Sequence, residues 1–168
     1  ALGVTGADGN AIKAVKRPVK DIDYGYVGDI RPEGVNTALL YFLLKQNTVP
    51  VFAPLTHAEG KMLNTNADTM AAVLAVALSK HFDVRLIFCF EKKGVLRDVN
   101  NLDSVIHHLP RKMYDELLLK QVFADGILPK LENAYAAIYA GVKEVLIGEA
   151  ADLVKNTGQE TAGTLITL

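Results

Sequence analysis

The feature that most constrains the fold is a regular alternation of strand and helix patterns from residue 35 onward. Val35–Gln46 places apolar residues at helical spacing, Val49–Leu55 is rich in β-branched and aromatic residues, and a helix is predicted from about Ala67 to Lys80. Asp83–Phe90 is apolar on both faces, as in a strand covered by helices on both sides. Further along the chain, the pattern predicts helices over Pro110–Gln121 and Ile127–Ala140, a strand over Val142–Ile147 that Gly148 ends, a short helix over Glu149–Asn156 and a strand over Gly163–Thr167. This order predicts an α/β fold, a three-layer αβα sandwich with a mostly parallel central sheet and right-handed crossovers.

The N-terminal residues are expected to add a β-hairpin. Two short extended runs, Ala1–Thr5 and Ala11–Lys16, flank Gly6–Asn10, which contains the turn dipeptide Asp-Gly. Tyr24–Ile30 is predicted to be a short strand that enters a loop containing a proline and a glycine at positions 32 and 34. The helix over Ile127–Ala140 is entered through residues 124–126.

Length and composition indicate one soluble domain over residues 1–168. The chain is 50% hydrophobic and 22% charged, with a net charge of −1, so nucleic acid and anionic membranes are not expected as partners. No apolar run is long enough to cross a bilayer, and no signal peptide is visible. The single cysteine, Cys89, lies in a predicted core strand and excludes an internal disulfide framework, which fits a reducing cytoplasm.

The stretch Leu63–Asp68 lies between an extended segment and the most apolar predicted helix of the chain. Its two asparagines and one aspartate are typical helix-capping residues, and capping alone is one interpretation. The alternative is a polar cluster at the edge of a sheet, where ligands bind in α/β folds. Asn66 is the best candidate for a residue that only caps.

Four further residues have both a functional and a structural interpretation. Lys130, near a predicted helix N-terminus, has the wrong sign for the helix dipole and would suit a bound phosphate, or is a solvated surface lysine. Gly94 permits close backbone approach to a ligand, or forms a plain turn. Glu91 is a polar group at a strand end, or pairs with a neighbouring lysine. Gly6 presents a backbone amide to a substrate carboxylate, or serves only the turn.

Several common types of site have no sequence signal. The four histidines, at positions 57, 81, 107 and 108, do not have metal-ligand spacing. The chain also lacks a Walker-type Gly-Lys-Ser/Thr loop, a dinucleotide Gly-x-Gly-x-x-Gly motif and a nucleophile elbow. No dedicated metal site is therefore predicted.

Several segments together resemble one family, in family order and over nearly the whole chain. They are residues 3–9 (Gly-Val-Thr-Gly-Ala-Asp-Gly), 23–29 (Asp-Tyr-Gly-Tyr-Val-Gly-Asp), 49–54, 63–69 (Leu-Asn-Thr-Asn-Ala-Asp-Thr), 94–96, 125–134 (Asp-Gly-Ile-Leu-Pro-Lys-Leu-Glu-Asn-Ala) and 163–164. The sequence resembles the amino-acid kinases and, within them, the acetylglutamate kinase branch. That resemblance implies an amino-acid kinase-like fold and transfer of the γ-phosphoryl group of MgATP to the side-chain carboxylate of an N-acylglutamate, in arginine biosynthesis.

The resemblance also implies roles for particular residues. Asn64 and Gly6 would bind the substrate. Asp68 would orient lysines around the transferred phosphoryl group, and Lys130 would be one of them. The nucleotide-binding residues would be Phe90, Glu91, Gly94, Gly126 and Lys130. ATP would carry the Mg²⁺, residues 1–30 would contribute to the substrate site, and the intact protein would be a homodimer without nucleic-acid or membrane partners.

The chain departs from the family pattern in two places. Phe90–Gly94, read as Phe-Glu-Lys-Lys-Gly, stands where the family has Thr/Ser-Asp-Val-x-Gly. The strand with a phosphate-contacting lysine, the His-Gly-Gly loop and the substrate-binding arginine of the family do not precede Ala1. We therefore expect a fragment of the enzyme or a polypeptide whose N-terminal part lies outside this sequence. A nucleotide-binding or regulatory module that lacks catalysis is the alternative, and the acyl group, acetyl or succinyl, stays open.

Overall fold

A computed structural model describes residues 1–123 and 126–168. Ala124 and Asp125, which belong to the predicted entrance of a helix, lie outside the described residues. The chain divides into two compact units, Ala1–Phe82 and Asp83–Leu168. The single domain over residues 1–168 remains a prediction, and each unit is described by itself.

The first unit contains six strands and two helices among the described residues. The strands are β1 (Leu2–Val4), β2 (Ile12–Lys16), β3 (Gly28–Val35), β4 (Pro50–Phe52), β5 (Leu55–Ala58) and β6 (Lys61–Asn64), and the helices are α1 (Thr37–Lys45) and α2 (Ala67–Leu78). Strands β1 and β4 form a parallel pair, and the other four form a sheet in the order β3-β2-β5-β6. Its core includes Ile12, Leu40, Leu63 and Met70, all at most 3% exposed.

The predicted N-terminal hairpin is wrong. Strand β1 pairs with β4 in parallel, Leu2 opposite Pro50, whereas β2 pairs antiparallel with β3. The residues between β1 and β2 form a 3₁₀ turn at Asp8–Asn10, in which Gly9 has a φ of 58°. An Asp-Gly dipeptide predicts a change of direction, but the partner of each flanking strand is set by segments distant in the sequence.

Two boundaries in this unit also differ from the predictions. Strand β3 runs through Pro32 and Gly34, which were expected to lie in a loop. Proline is tolerated there because β3 is an edge strand of its sheet. The backbone N–H groups on the outer side of an edge strand have no neighbouring strand to pair with, so the N–H that proline lacks is not missed. The expected loop at 56–61 contains a hairpin instead, because Glu59 and Gly60 both have positive φ, 49° and 76°, as a two-residue type I′ turn requires.

The second unit contains four strands and three helices in the part of the chain that the structure describes. They are β7 (Arg85–Phe90), β8 (His108–Pro110), α3 (Arg111–Leu119), α4 (Leu128–Tyr139), β9 (Glu144–Glu149), α5 (Leu153–Asn156) and β10 (Thr164–Thr167). The sheet order is β7-β9-β10-β8, in which β7 is parallel to β9 and only β10 and β9 are antiparallel. The predicted α/β class with mostly parallel strands is confirmed.

Two details of the second unit correct the sequence predictions. Strand β9 continues through Gly148 to Glu149, because Gly148 pairs with Cys89 in the parallel ladder. Cys89 itself is exposed rather than in the core, because it lies on the face of β7 opposite to the buried Leu86 and Phe88. Strands β9 and β10 contribute fully buried apolar residues at Val145, Leu146, Ile147 and Ile166. Among the described residues, every helix is too short or too polar to cross a membrane.

Candidate functional site

The second unit contains a cavity of about 390 Å³ at the carboxyl end of β7. Four of the residues predicted to bind a nucleotide line it: Phe90, Glu91, Gly94 and Gly126. The remaining lining residues are Lys92, Val95, Leu96, Val99, Val122 and Ile127. The structure therefore brings together two predicted segments that are more than thirty residues apart.

Close packing after β7 holds the first of these segments in place. The Val95 N–H donates to Thr164 Oγ1 at 2.8 Å, and both groups are buried. A Cβ on Gly94 would lie 2.7 Å from that same oxygen and 3.0 Å from Val105 Cγ1. Glycine at 94 thus has a packing explanation that is independent of any ligand, although the residue also faces the cavity.

The second segment is the start of α4. Ile127 precedes the helix and makes no side-chain cap, and Pro129 lies in the first turn, where its missing N–H costs nothing. Lys130 is also in this first turn, and its ammonium lies 5.5 Å from the ring centroid of the buried Phe88. Lys130 is not among the residues that line the cavity.

A smaller and more polar cleft, about 320 Å³, adjoins this cavity. It is lined by Glu91, Lys92, Lys93, Leu102, Asp103 and Glu149. Glu91 and Lys92 line both spaces. Glu149, at the end of β9, is the register partner of Phe90 at the end of β7, so the cleft lies at the carboxyl edge of these two parallel strands.

In the first unit, Leu63–Asp68 connects β6 to α2. Asn66 caps the helix, because its Oδ1 accepts from the Thr69 N–H at 2.9 Å, and this confirms the capping prediction for Asn66. Thr65 is buried and its hydroxyl shares a 2.8 Å hydrogen bond with that of Thr56. Asn64 is exposed at the end of β6, and Asp68 is half-buried in the first turn of α2, where a negative charge suits the helix dipole.

Gly6 is buried against the backbone of two neighbouring strands. Its N–H donates to the Leu55 carbonyl at 2.7 Å, and its own carbonyl accepts from the Ile12 N–H at 2.9 Å. A Cβ would lie 2.7 Å from the Ile12 carbonyl oxygen and 3.0 Å from Thr56 Cα. The amide that was predicted to face a substrate is engaged in the fold, and substrate binding by Gly6 remains a prediction.

A second open space, in the first unit, lies between the family-like segments 3–9 and 49–54. This shallow cavity of about 390 Å³ lies at the carboxyl ends of the parallel strands β1 and β4 and is lined by Gly3, Val4, Thr5, Asp8, Val51, Phe52 and Ala53. At its rim, Asp8 accepts from the Thr5 N–H at 2.7 Å and from its hydroxyl at 2.8 Å. These two donors lower the pKa of the Asp8 carboxyl, since both stabilise its charged form.

Within residues 1–123 and 126–168, no three side chains among His, Cys, Asp and Glu are arranged to hold a metal ion. The apolar lining of the second-unit cavity was also missed from the sequence. Val99 and Val122 belong to separate segments, and nothing in their local pattern distinguishes them from ordinary apolar residues.

The sequence profile of the amino acid kinase family matches residues 1–149. The chain belongs to this family. It is 54% identical over 159 residues to an acetylglutamate kinase of Bacteroides thetaiotaomicron, covering 94% of this chain and 61% of that protein. It is 50% identical over 167 residues to an acetylglutamate kinase of Cytophaga hutchinsonii, covering 98% of this chain and 62% of that protein.

A solved structure also resembles this member of the amino acid kinase family. The N-acetylglutamate synthase of Neisseria gonorrhoeae, complexed with coenzyme A and N-acetylglutamate, superposes with a TM-score of 0.81 at 26% identity. That match covers 99% of this chain and 38% of the synthase. The chain thus spans about three fifths of the length of the curated kinases it matches, and the family predicted from its motifs is confirmed.

Proposed function

We propose that this chain is the nucleotide-binding part of a kinase that transfers the γ-phosphoryl group of MgATP to the side-chain carboxylate of an N-acyl-L-glutamate. N-acetylglutamate is the preferred acceptor, which places the reaction in arginine biosynthesis, in the cytoplasm. The observation that carries the proposal is the cavity at the end of β7, lined by Phe90, Glu91, Gly94 and Gly126. These residues come from the two segments that the family pattern assigns to the nucleotide.

The cavity has the size and lining that an adenine ring needs. A volume of about 390 Å³ is at the lower end of ordinary small-molecule pockets. Its walls are mostly apolar, and Val95 and Ile127 are at most 7% exposed, so a flat ring would be removed from water there. The position at the carboxyl end of a strand is where open α/β sheets bind ligands.

The reaction needs no general base. A glutamate side chain has a pKa of about 4.3 in water, so the acceptor carboxylate is already ionised at neutral pH. Catalysis then consists of aligning two anionic groups and neutralising charge in the transition state. We assign Lys130 to the transferred phosphoryl group, Asp68 to the orientation of lysines around it, and Asn64, with Gly6, to the acylglutamate.

Magnesium would be carried by the phosphates of ATP. Because the described residues offer no cluster of three ligating side chains, the chain's own contribution to the metal would be limited. Mg²⁺ neutralises phosphate charge when bound. The protein would supply the remaining positive charge through lysines.

A second candidate is a nucleotide-binding or regulatory module that does not transfer phosphate. Two observations favour it: the likeness to a protein named as a synthase rather than a kinase, and the Phe-Glu-Lys-Lys-Gly sequence at the end of β7. Both candidates require nucleotide binding. Only the first requires acyl phosphate formation.

An assay for acyl phosphate with MgATP separates the two candidates. It would be run with N-acetylglutamate and with N-succinylglutamate, on the 168-residue chain and on a polypeptide that restores the length of the kinase relatives. We expect turnover from the restored polypeptide, with the preferred acceptor identifying the acyl group. ATP binding without turnover by the restored polypeptide would support the module instead. Light scattering on the same sample would test the expected homodimer.

A variant of the cavity wall tests the nucleotide site directly. Val99 lines the cavity and is 48% exposed, so Val99→Asp should fold while placing a charge beside the bound base. We expect the Kd for ATP, measured by calorimetry, to rise by roughly tenfold, from loss of apolar burial and desolvation of the carboxylate. Val154→Asp, at a residue that is 86% exposed and away from the cavity, is the matched control. Equal Kd values for both variants would place the nucleotide elsewhere.

A further inference from the structure

Among the described residues, Lys92 and Glu91 line both the apolar cavity and the polar cleft beside it. We propose that the Lys92 ammonium binds the phosphate groups of the nucleotide whose base occupies the apolar cavity. The inference rests on the proposed function, because it assumes that a nucleotide binds in this cavity. It adds a phosphate-binding residue that is separate from Lys130.

The position of Lys92 suits a side chain with an apolar stem and a charged end. Lys92 is half-buried, whereas Glu91 and Lys93 on either side of it are exposed. Lysine stems pack along apolar surface while the ammonium stays in a polar environment. A ligand that extends from the apolar cavity into the adjoining cleft would therefore pass the charged end of this side chain.

The charges around the cleft leave Lys92 available for an anion. Lys93 Nζ lies 3.9 Å from Asp103 Oδ1, and the two side chains form an ion pair. Among the described residues, Lys92 takes part in no ion pair within 4.0 Å. Glu91 and Glu149 line the same cleft and would repel a polyphosphate, so a cation at position 92 offsets a charge that would otherwise weaken binding.

The residue at position 92 differs from the Thr/Ser-Asp-Val-x-Gly pattern to which the chain was compared. In the pattern to which Phe90–Gly94 corresponds, the position of Lys92 is occupied by valine, whose side chain cannot donate to phosphate. A lysine in place of that valine adds a donor with full positive charge at the wall shared by the two spaces. The contact would therefore tune nucleotide affinity rather than carry the chemistry that the whole family performs.

Calorimetric titration with adenosine, AMP and ATP tests the inference, using the full chain. Lys92→Met keeps the apolar stem and removes the charge. We expect it to raise the Kd for ATP by about tenfold, as loss of one charge-assisted contact would, and to change the Kd for adenosine by less than about twofold. Lys92→Arg should keep most of the ATP affinity, because it restores a cation of similar reach.

The matched control is Lys143→Met, which removes the same charge from an exposed lysine paired with Asp83 at the opposite end of the sheet. Its Kd for ATP should equal that of the wild type. Equal losses of adenosine and ATP affinity in Lys92→Met, or no loss at all, would overturn the inference while leaving the proposed function intact. Absence of nucleotide binding by the wild type would overturn both.

Discussion

Helices α2 and α4 begin in opposite ways, although each follows a stretch with predicted functional residues. Asn66 caps helix α2 by accepting a hydrogen bond from the Thr69 N–H, and the first turn of the helix carries the favourable charge of Asp68. Helix α4 starts after Ile127, makes no side-chain cap, and carries the unfavourable charge of Lys130 in its first turn. The first arrangement adds a side-chain cap and a favourable charge to its helix start, whereas the second adds neither of these.

This difference concerns the local contribution of each polar residue to its own helix start, since the Lys130 ammonium contacts the Phe88 ring instead of capping α4. Around α2, Thr65, Asn66 and Asp68 each have a contact or a position that favours the fold. Around α4, a cation in the unfavourable position lies in a helix whose start borders an open cavity. Two glycines differ in a similar way: Gly6 packs against backbone, whereas a Cβ placed on Gly126 would meet no atom of the described residues within 4 Å.

The largest expected effect is on catalysis. In the restored polypeptide, Lys130→Met should lower kcat for acyl phosphate formation by about 10²–10³-fold, because charge stabilisation at the transferred group would be lost. Lys143→Met is the charge control for Lys130→Met. Asp68→Asn should also lower kcat. If Asp68→Asn is fully active, the start of α2 is only a helix cap, and the contrast between the two helices becomes complete.

Gly6 and Gly126 should differ clearly in their effect on stability. Gly6→Ala would force a methyl group to within 3.1 Å of backbone atoms of Ile12, Leu55 and Thr56, and we expect a loss of about 2 kcal/mol in the free energy of unfolding. Gly126→Ala should change it by less than about 0.5 kcal/mol. Urea titrations of both variants provide the measurement. Similar losses would show that the start of α4 is packed as tightly as the turn at Gly6.

The cap of α2 should have a moderate effect. Asn66→Ala removes the acceptor of the Thr69 N–H, and we expect it to cost about 1 kcal/mol in the free energy of unfolding. Asn66→Asp should retain most of that stability, since aspartate is an equally good cap. The Kd for ATP should be unchanged in both variants. A large change in ATP affinity would mean that the first unit takes part in nucleotide binding.

The smallest expected effect is the pH dependence contributed by Asp8. The Thr5 donors lower the folded-state pKa of this carboxyl, so the stabilisation is present above the unfolded-state pKa and is lost as pH falls through the folded-state pKa. Asp8→Asn should therefore reduce stability slightly at neutral pH and flatten its decline in acid. Thermal unfolding of both proteins between neutral and acidic pH would reveal the difference. Parallel curves would show that Asp8 has the same pKa in the folded and unfolded states.

Periodicity predicted most elements but not their pairing. The helices near residues 37–45, 67–78 and 128–139 follow from apolar spacing within each segment. The partners of β1 and β2 do not, because Leu2 pairs with Pro50 across almost fifty residues and nothing in either segment encodes that choice. The hairpin of β5 and β6 was missed for another reason: Glu59 adopts a positive φ, which its residue type does not predict.

The sequence predicted only part of the candidate site as well. Family motifs identified Phe90, Glu91, Gly94 and Gly126 as nucleotide-binding candidates, and the structure places all four around one cavity. Motifs did not identify Val99, Val122 or the position of Lys92 between two open spaces, since lining a cavity depends on distant segments meeting. The structural need for Gly6 and Gly94 was equally invisible, because it arises from backbone and side-chain atoms more than four residues away.

The sequence by itself determined the α/β class, the positions of the main helices, the Asn66 cap and the family, because these depend on local periodicity, local hydrogen bonding and ordered motifs. Only the tertiary structure decided which strands pair, which glycines are tightly packed and which side chains border empty space. Those properties require contacts between segments far apart in the chain. Their energies depend on distances in space that no local pattern specifies.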